Sequence, residues 1–343
     1  MPIITRILRK LDEVRLSGRT AFGSERHQYQ LNAPLPEETV RAFEAREAVQ
    51  LPPDYREFVL RAGDGGAGPY YGLMKLADGN EEFHDDEQGA LARPCLLHPG
   101  GASFLRDNDG VLAIADQGCT FWAVLIITGS CRGRVVYVDL QGNRNSYFVH
   151  DPDFLSWYER WLDELLWGYD DFWFGYGLPG REEQLAEVLR DRQDLPDLVC
   201  ESMATLGRIP HLRTATLATL QSLLRHRHWE VRARSVSLIG KHRVFEALDS
   251  IRALLTDEND GVRKNALAAL ANFPAVDWEP AARAALASQT PELARSALFL
   301  LKNAGLLRPE DVEALNDSKD AEIRQYGKWA ADELRCRGND PAH

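Results

Sequence analysis

Four apolar residues, Val231, Val262, Leu293 and Ile323, follow one another at intervals of 31, 31 and 30 residues, and each stands fourth in a segment that aligns with the others. Four positions after each anchor comes a small residue, Ser235, Ala266, Ala297 or Gly327. That pairing at i, i+4 suits a helix face pressed closely against a neighbouring helix. An earlier segment, DLVCESMATLG, fits the same pattern with Leu198 as its anchor, 33 residues upstream. Between anchors the sequence predicts second helices over Val244 to Leu255 and Glu279 to Ala287, set off by Asp257, Asn259, Gly261, Pro280 and Pro291. A helix-turn-helix unit this short cannot bury its apolar stripe alone, so neighbours must stack to supply the core. From about residue 181 the chain therefore reads as a right-handed stack of helical hairpins, a scaffold suited to binding.

The chain has 343 residues, enough for a second domain of common size before the stack. Net charge is −12 and uneven: residues 1–180 carry 17 Lys and Arg against 27 Asp and Glu, the remainder 23 against 25. An acidic surface disfavours phosphates of nucleic acid and membrane and steers basic proteins inward. The five cysteines form no C-x-x-C pair and read as reduced, structural thiols. The first residues, MPIITRILRKLDEVRLSG, break up too soon for a signal h-region, and no apolar run reaches membrane-spanning length. A cytoplasmic location is the expectation.

Before the stack the pattern changes. Glu37 to Ala45 suits a helix, and Pro52-Pro53 opens another with Tyr55, Phe58 and Val59 on one face, halted by GDGGAGP. A strand through Tyr71, Leu73 and Lys75 is expected next. The segments VLAIADQG, CTFWAVLIIT, RVVYVDL and SYFVH then alternate with Gly, Ser and Asn turns, the pattern of an antiparallel meander, with Thr120 to Thr128 central. After Asp151-Pro152, FLSWYERWLDELL puts Phe154, Trp157, Trp161 and Leu165 on one stripe, closing the domain over its sheet.

The helix L-P-x-x-Y-x-x-F at Leu51, Pro52, Tyr55 and Phe58, the glycine-rich turn, GPYYGLMKL with Gly72, the run from Ile114 to Asp139 and the closing helix with Trp157 and Trp161 together resemble the SUKH superfamily. This group holds fungal cell-wall assembly regulators and bacterial immunity proteins. The later segments resemble HEAT-like repeats, whose first helix reads D-x-x-V-R-x-x-A, matched by Asp260, Val262, Arg263 and Ala266. Arg232, Arg263 and Arg324 keep the family arginine, while Ala294 departs from it and puts any inter-repeat contact there in doubt. The resemblances imply an α+β domain with an antiparallel sheet and flanking helices, followed by an all-α helical-repeat domain. The expected layout is an N-terminal extension over 1–34, the SUKH-like domain over 35–166, an aromatic junction over 167–180, repeats over 181–338 and a disordered tail over 339–343.

No motif points to catalysis. GDGGAGP follows a helix and lacks the G-K-[ST] ending of a phosphate loop, and the acidic run Asp78, Glu81, Glu82, Asp85, Asp86, Glu87 lacks the spaced ligands of a calcium loop. That run reads as a solvated acidic loop or a docking surface for a basic partner. A basic run around Arg225, His226, Arg227, His228, Arg232, Arg234, Lys241, His242 and Arg243 could offer metal or nucleic-acid contacts, with solvation or contact to the acidic domain the plainer readings. At the junction, WGYDDFWFGY reads as glue between the domains, or as an aromatic hot spot with Trp173 beside Asp170 and Asp171. The SUKH resemblance implies a noncatalytic protein, without cofactor or metal, that binds and occludes a cognate toxin domain, a basic nuclease being one candidate. A general scaffold or adaptor using the repeats is the alternative.

Overall fold

The computed structural model describes residues 2–84, 87, 89–100, 105, 108–142, 144–288 and 290–338. The chain divides into two compact units, Met1–Pro179 with Arg208–Pro210, and Gly180–Gly207 with His211–His343. Asp85, Asp86 and the tail over 339–343 lie outside the described residues.

The first unit is α+β. Helices α1 (Ile3–Leu16), α2 (Ser24–His27), α3 (Glu37–Glu47), α4 (Pro53–Arg61) and α5 (Leu76–His84) precede strands β1 (Val111–Gly118), β2 (Phe121–Ile126), β3 (Val135–Asp139) and β4 (Tyr147–Phe148), and α6 (Phe154–Leu166) follows. The strands form one antiparallel sheet in chain order, with Leu112 opposite Leu125 and Val124 opposite Val136. Strand alternation divides their side chains between two layers. Leu112, Ile114, Ala123, Leu125, Val135 and Tyr137 join the buried faces of α1, α4 and α6. Val111, Ala113, Val124, Ile126, Val136 and Val138 pack with Phe83 of α5 and with Cys95 and Leu97. Hydrophobic residues on both faces of every long strand are thus explained by a sheet covered on both sides.

Residues 1–34, expected as an extension, contribute to this core. Ile4, Ile7, Leu11 and Val14 recur at helical spacing and are buried. Lys10 Nζ lies 2.6 Å from both Glu159 and Asp163 of α6, and Arg6 also pairs with Glu159. Asp153 caps α6 by accepting from Ser156 N–H at 2.7 Å. Asp54 of α4 accepts from Phe154 N–H at 2.8 Å, so one carboxylate aligns two helices whose rings then interlock, Tyr55 with Phe154 and Phe58 with Tyr158, each at 4.9 Å. Buried beneath, Arg160 bridges Asp151 at 3.1 Å and Glu164 at 2.8 Å.

Two local expectations fail. No strand runs through Tyr71, Leu73 and Lys75; Leu73 makes isolated bridges to Gly66 and Ala115, a pairing too short to extend before α5 begins. The acidic run is not a loop at its start: Leu76, Gly79, Asn80, Phe83 and His84 form a buried stripe against β1, and the acids ride the outer face of a helix.

The second unit consists of helical pairs: α7 (Glu182–Asp191) with α8 (Pro196–Leu206), α9 (Thr214–Ser222) with α10 (Trp229–Lys241), α11 (Leu248–Ala253) with α12 (Asp260–Ala271), α13 (Glu279–Leu286) with α14 (Pro291–Asn303), and α15 (Pro309–Asn316) with α16 (Ala321–Gly338). The second helix of each pair packs on that of the next. Val231, Val262, Leu293 and Ile323 are buried, as are Ser235, Ala266, Ala297 and Gly327 four residues after them. In the earliest pair the buried anchor is Val199 rather than Leu198, because the stripe of α8 runs through Val199, Ser202, Met203 and Leu206. Helices α10 and α12 approach so closely that a Cβ at Gly240 would stand 2.5 Å from that of Ala269.

The repeated arginine has a shared task. Arg232 donates to the carbonyls of His226 and Arg227, Arg263 to that of Asp257, and Arg324 to those of Ser318 and Lys319. Each reaches back five or six residues to the turn before its own helix. Among the described residues only Arg232 adds a contact to the following repeat, a bidentate pair with Asp257 at 2.8 Å. At the fourth unit Ala294 is buried in the arginine's place.

Candidate partner-binding surface

Residues 167–178 belong to the first unit, and their aromatics divide into buried and exposed sets. Tyr169 and Phe174 are buried, and Phe174 lies in the same core as Trp157. Tyr70 Oη donates to Phe174 O at 2.6 Å, and Gly177 N–H donates to Tyr147 Oη at 2.9 Å. Held at both ends in this way, the segment lifts Phe172 and Trp173 to the surface, 51% and 42% exposed. Trp173 has φ +64°, a left-handed conformation that a bulky residue adopts at a cost on the order of 1 kcal/mol or more.

These two rings lie in a longer row. Arg26 stacks 3.9 Å above the Tyr71 ring, Tyr71 meets Phe22 at 5.0 Å, and Phe22 meets Phe172 at 5.9 Å. Phe172 meets Trp173 at 5.2 Å, and Arg144 sits 5.9 Å over Trp173 and 5.4 Å over Phe121. Exposed aromatic rings in contact, flanked by arginine, have the composition of interface cores that dominate binding energy. Apart from Phe172 and Trp173 none of these residues stands out in the sequence as a binding residue, and Tyr71 reads there only as part of a strand. They come from separate segments, and no local pattern joins them.

The acids beside the row do different work. Asp171 is half-buried and accepts from Phe22 N–H at 2.8 Å; burial pushes its carboxyl up, against that hydrogen bond. It positions the row and is not a free docking charge. Asp170 is exposed and accepts from Phe172 N–H at 3.1 Å.

The acidic helix is a second surface of the same unit. Asp78, Glu81 and Glu82 are exposed on α5 with no basic partner among the described residues. Glu87 is exposed but paired with Arg93 at 2.6 Å, which shortens the expected run of free charge. Of the residues named with the family motif, Leu51, Pro52, Tyr55, Phe58, Trp157 and Trp161 are buried, and Gly72, at φ +98°, has no room for a side chain against Gly66 and His27.

The basic run of the second unit does not converge. Arg232 pairs with Asp257 and Arg234 with Glu230, while Lys241 donates to Gly207 O. His226 Nε2 lies 3.0 Å from Gln193 O. Among the described residues no group of three His, Cys, Asp or Glu could hold a metal ion, and no helix is long and apolar enough to cross a membrane.

Residues 34–160 match the SMI1/KNR4 family, SUKH-1, and residues 216–302 match HEAT repeats. The chain thus carries a SUKH-1 domain followed by HEAT repeats. The row and the acidic helix both lie in the unit that holds the SUKH domain, although Phe22, Arg26, Phe172 and Trp173 fall outside the matched span. No curated protein matches the chain. Among solved structures, a designed armadillo repeat protein in complex with the peptide (KR)4 is 18% identical, covering 44% of this chain and 80% of its own, with a TM-score of 0.32. An engineered protein is 20% identical over 45% of this chain and 79% of its own, with a TM-score of 0.30. Overlap at these scores carries no argument about function.

Proposed function

We propose that the protein is a cytoplasmic, noncatalytic immunity protein that binds a cognate toxin domain and blocks it by occlusion. The observation that carries this reading is the exposed aromatic row in the SUKH unit, where Phe22, Phe172 and Trp173 face solvent in mutual contact. The SUKH-1 domain supports it, since the family includes immunity proteins. The acids Asp78, Glu81 and Glu82, with no basic partner among the described residues, would hasten encounter with a basic toxin, and the rings would set how slowly the complex parts. The test is titration of the full chain with the toxin domain encoded beside it, by calorimetry and by rescue of toxin-arrested cells. Tight binding and rescue are expected; neither binding nor rescue would remove the proposal.

The adaptor reading has its own support in the second unit, where Phe299 and Trp329 are exposed, meet edge-to-face at 5.4 Å, and lie beside Lys302, 5.5 Å over the Trp329 ring. Loss of toxin binding in a Phe299→Ala, Trp329→Ala double variant would favour it.

A further inference from the structure

The two arginines at the ends of the aromatic row are an unusual resource. A guanidinium stacked face-on to a ring is fixed in orientation while its N–H donors, which lie in the guanidinium plane, stay available at the edge. Arg26 and Arg144 are both exposed, and neither side chain donates a hydrogen bond or pairs with a carboxylate among the described residues. This contrasts with Arg56, Arg93 and Arg160 of the same unit, each of which pairs with two acids. In an acidic half-chain with 27 carboxylates, Arg26, stacked on Tyr71, and Arg144, set between the Phe121 and Trp173 rings, have no carboxylate partner among the described residues and are positioned for anions from outside.

We propose that the row recognises an apolar ridge bracketed by two carboxylates on the protein partner, with Arg26 and Arg144 each taking one carboxylate in bidentate fashion and Phe22, Phe172 and Trp173 covering the ridge between them. The inference rests on the partner-binding reading above and refines it. A partner drawn in by the acids of α5 through its overall positive charge would be locked by acidic groups of its own, at two points. Charge near α5 then governs the association rate, and the row governs dissociation.

The experiment uses the full chain and the toxin domain encoded beside it, with binding kinetics measured for wild type and for Arg26→Ala, Arg144→Ala, Arg144→Lys and Trp173→Ala, each checked for an unchanged melting curve. Each arginine-to-alanine change should weaken binding about tenfold or more, mainly through faster dissociation, and Trp173→Ala by more. Arg144→Lys should fail to restore binding, because an ammonium keeps the charge but loses the planar fork. Arg144→Glu should be rescued by changing one surface Asp or Glu of the toxin domain to Lys. If wild type binds and the arginine variants bind equally well, or if Arg144→Lys matches wild type, the carboxylate inference is overturned while the immunity reading stands. If wild type does not bind, both fall.

Discussion

The Tyr137 hydroxyl fills the volume that a side chain at Gly175 would need, and Gly175 itself sits at φ +85°. Tyr137 is held in place by Trp157 Nε1–H, which donates to its oxygen at 2.9 Å. Both steric and backbone terms therefore oppose any other residue at 175. Gly175→Ala should cost roughly 2–3 kcal/mol and lower the melting temperature of the first unit by several degrees, read by thermal unfolding.

His27 links stability to acidity. Burial is the main reason its imidazole is pushed down to about 4, with the Gly68 carbonyl and Glu25 opposing the shift. The folded chain keeps this ring neutral, while the unfolded chain takes up a proton below about pH 6.5. Stability should thus fall as pH drops from about 6.5 to about 4, by at most roughly 3 kcal/mol from this residue. Urea unfolding across that window should show a shallower pH dependence for His27→Gln than for wild type.

Arg160 sits between two carboxylates, with all three side chains almost wholly buried. Arg160→Met would strand the Asp151 carboxylate away from water and leave Glu164 with Arg208 alone, at a cost of about 3–5 kcal/mol. Replacing Asp151, Arg160, Glu164 and Arg208, the buried partner of Glu164, together by apolar residues of similar volume should be far less damaging, and the difference between the two denaturation midpoints measures the stranded charge.

Among the repeats, Arg232→Ala should destabilise the second unit by about 3 kcal/mol, since it removes a buried bidentate pair with Asp257. Arg263→Ala loses a turn carbonyl and a half-exposed partner, Asp260, and should cost about 1 kcal/mol. Chemical denaturation followed by circular dichroism would rank the two.

Where one sequence signal dominated, the reading matched the structure. Strand β1 occupies the whole of the expected VLAIADQG segment, and α6 the whole of FLSWYERWLDELL, since each is a strong apolar pattern bounded by a glycine or a capping Asp153. Helix α5 was hidden because its buried stripe includes Gly79, Asn80 and His84, residues that advertise a loop, while its acids drew attention outward. The aromatic row was beyond reach for a different reason: Phe22 and Phe172 touch although they are 150 residues apart in sequence, and only tertiary packing makes them neighbours. The basic run shows the converse, since Arg232 and Arg234, neighbours in sequence, turn to separate ion pairs with Asp257 and Glu230.

The short bridges that replace the expected strand have one more effect. Met74 N–H donates to Ile114 O and Tyr71 N–H to Asp116 O, so the carbonyls on the outer side of β1 are engaged by the chain's own backbone. A sheet of four strands is a natural template for fibril growth by edge addition. Here that side is sealed by a segment too irregular to be extended in its turn, so crowding at high expression should not drive polymerisation through β1.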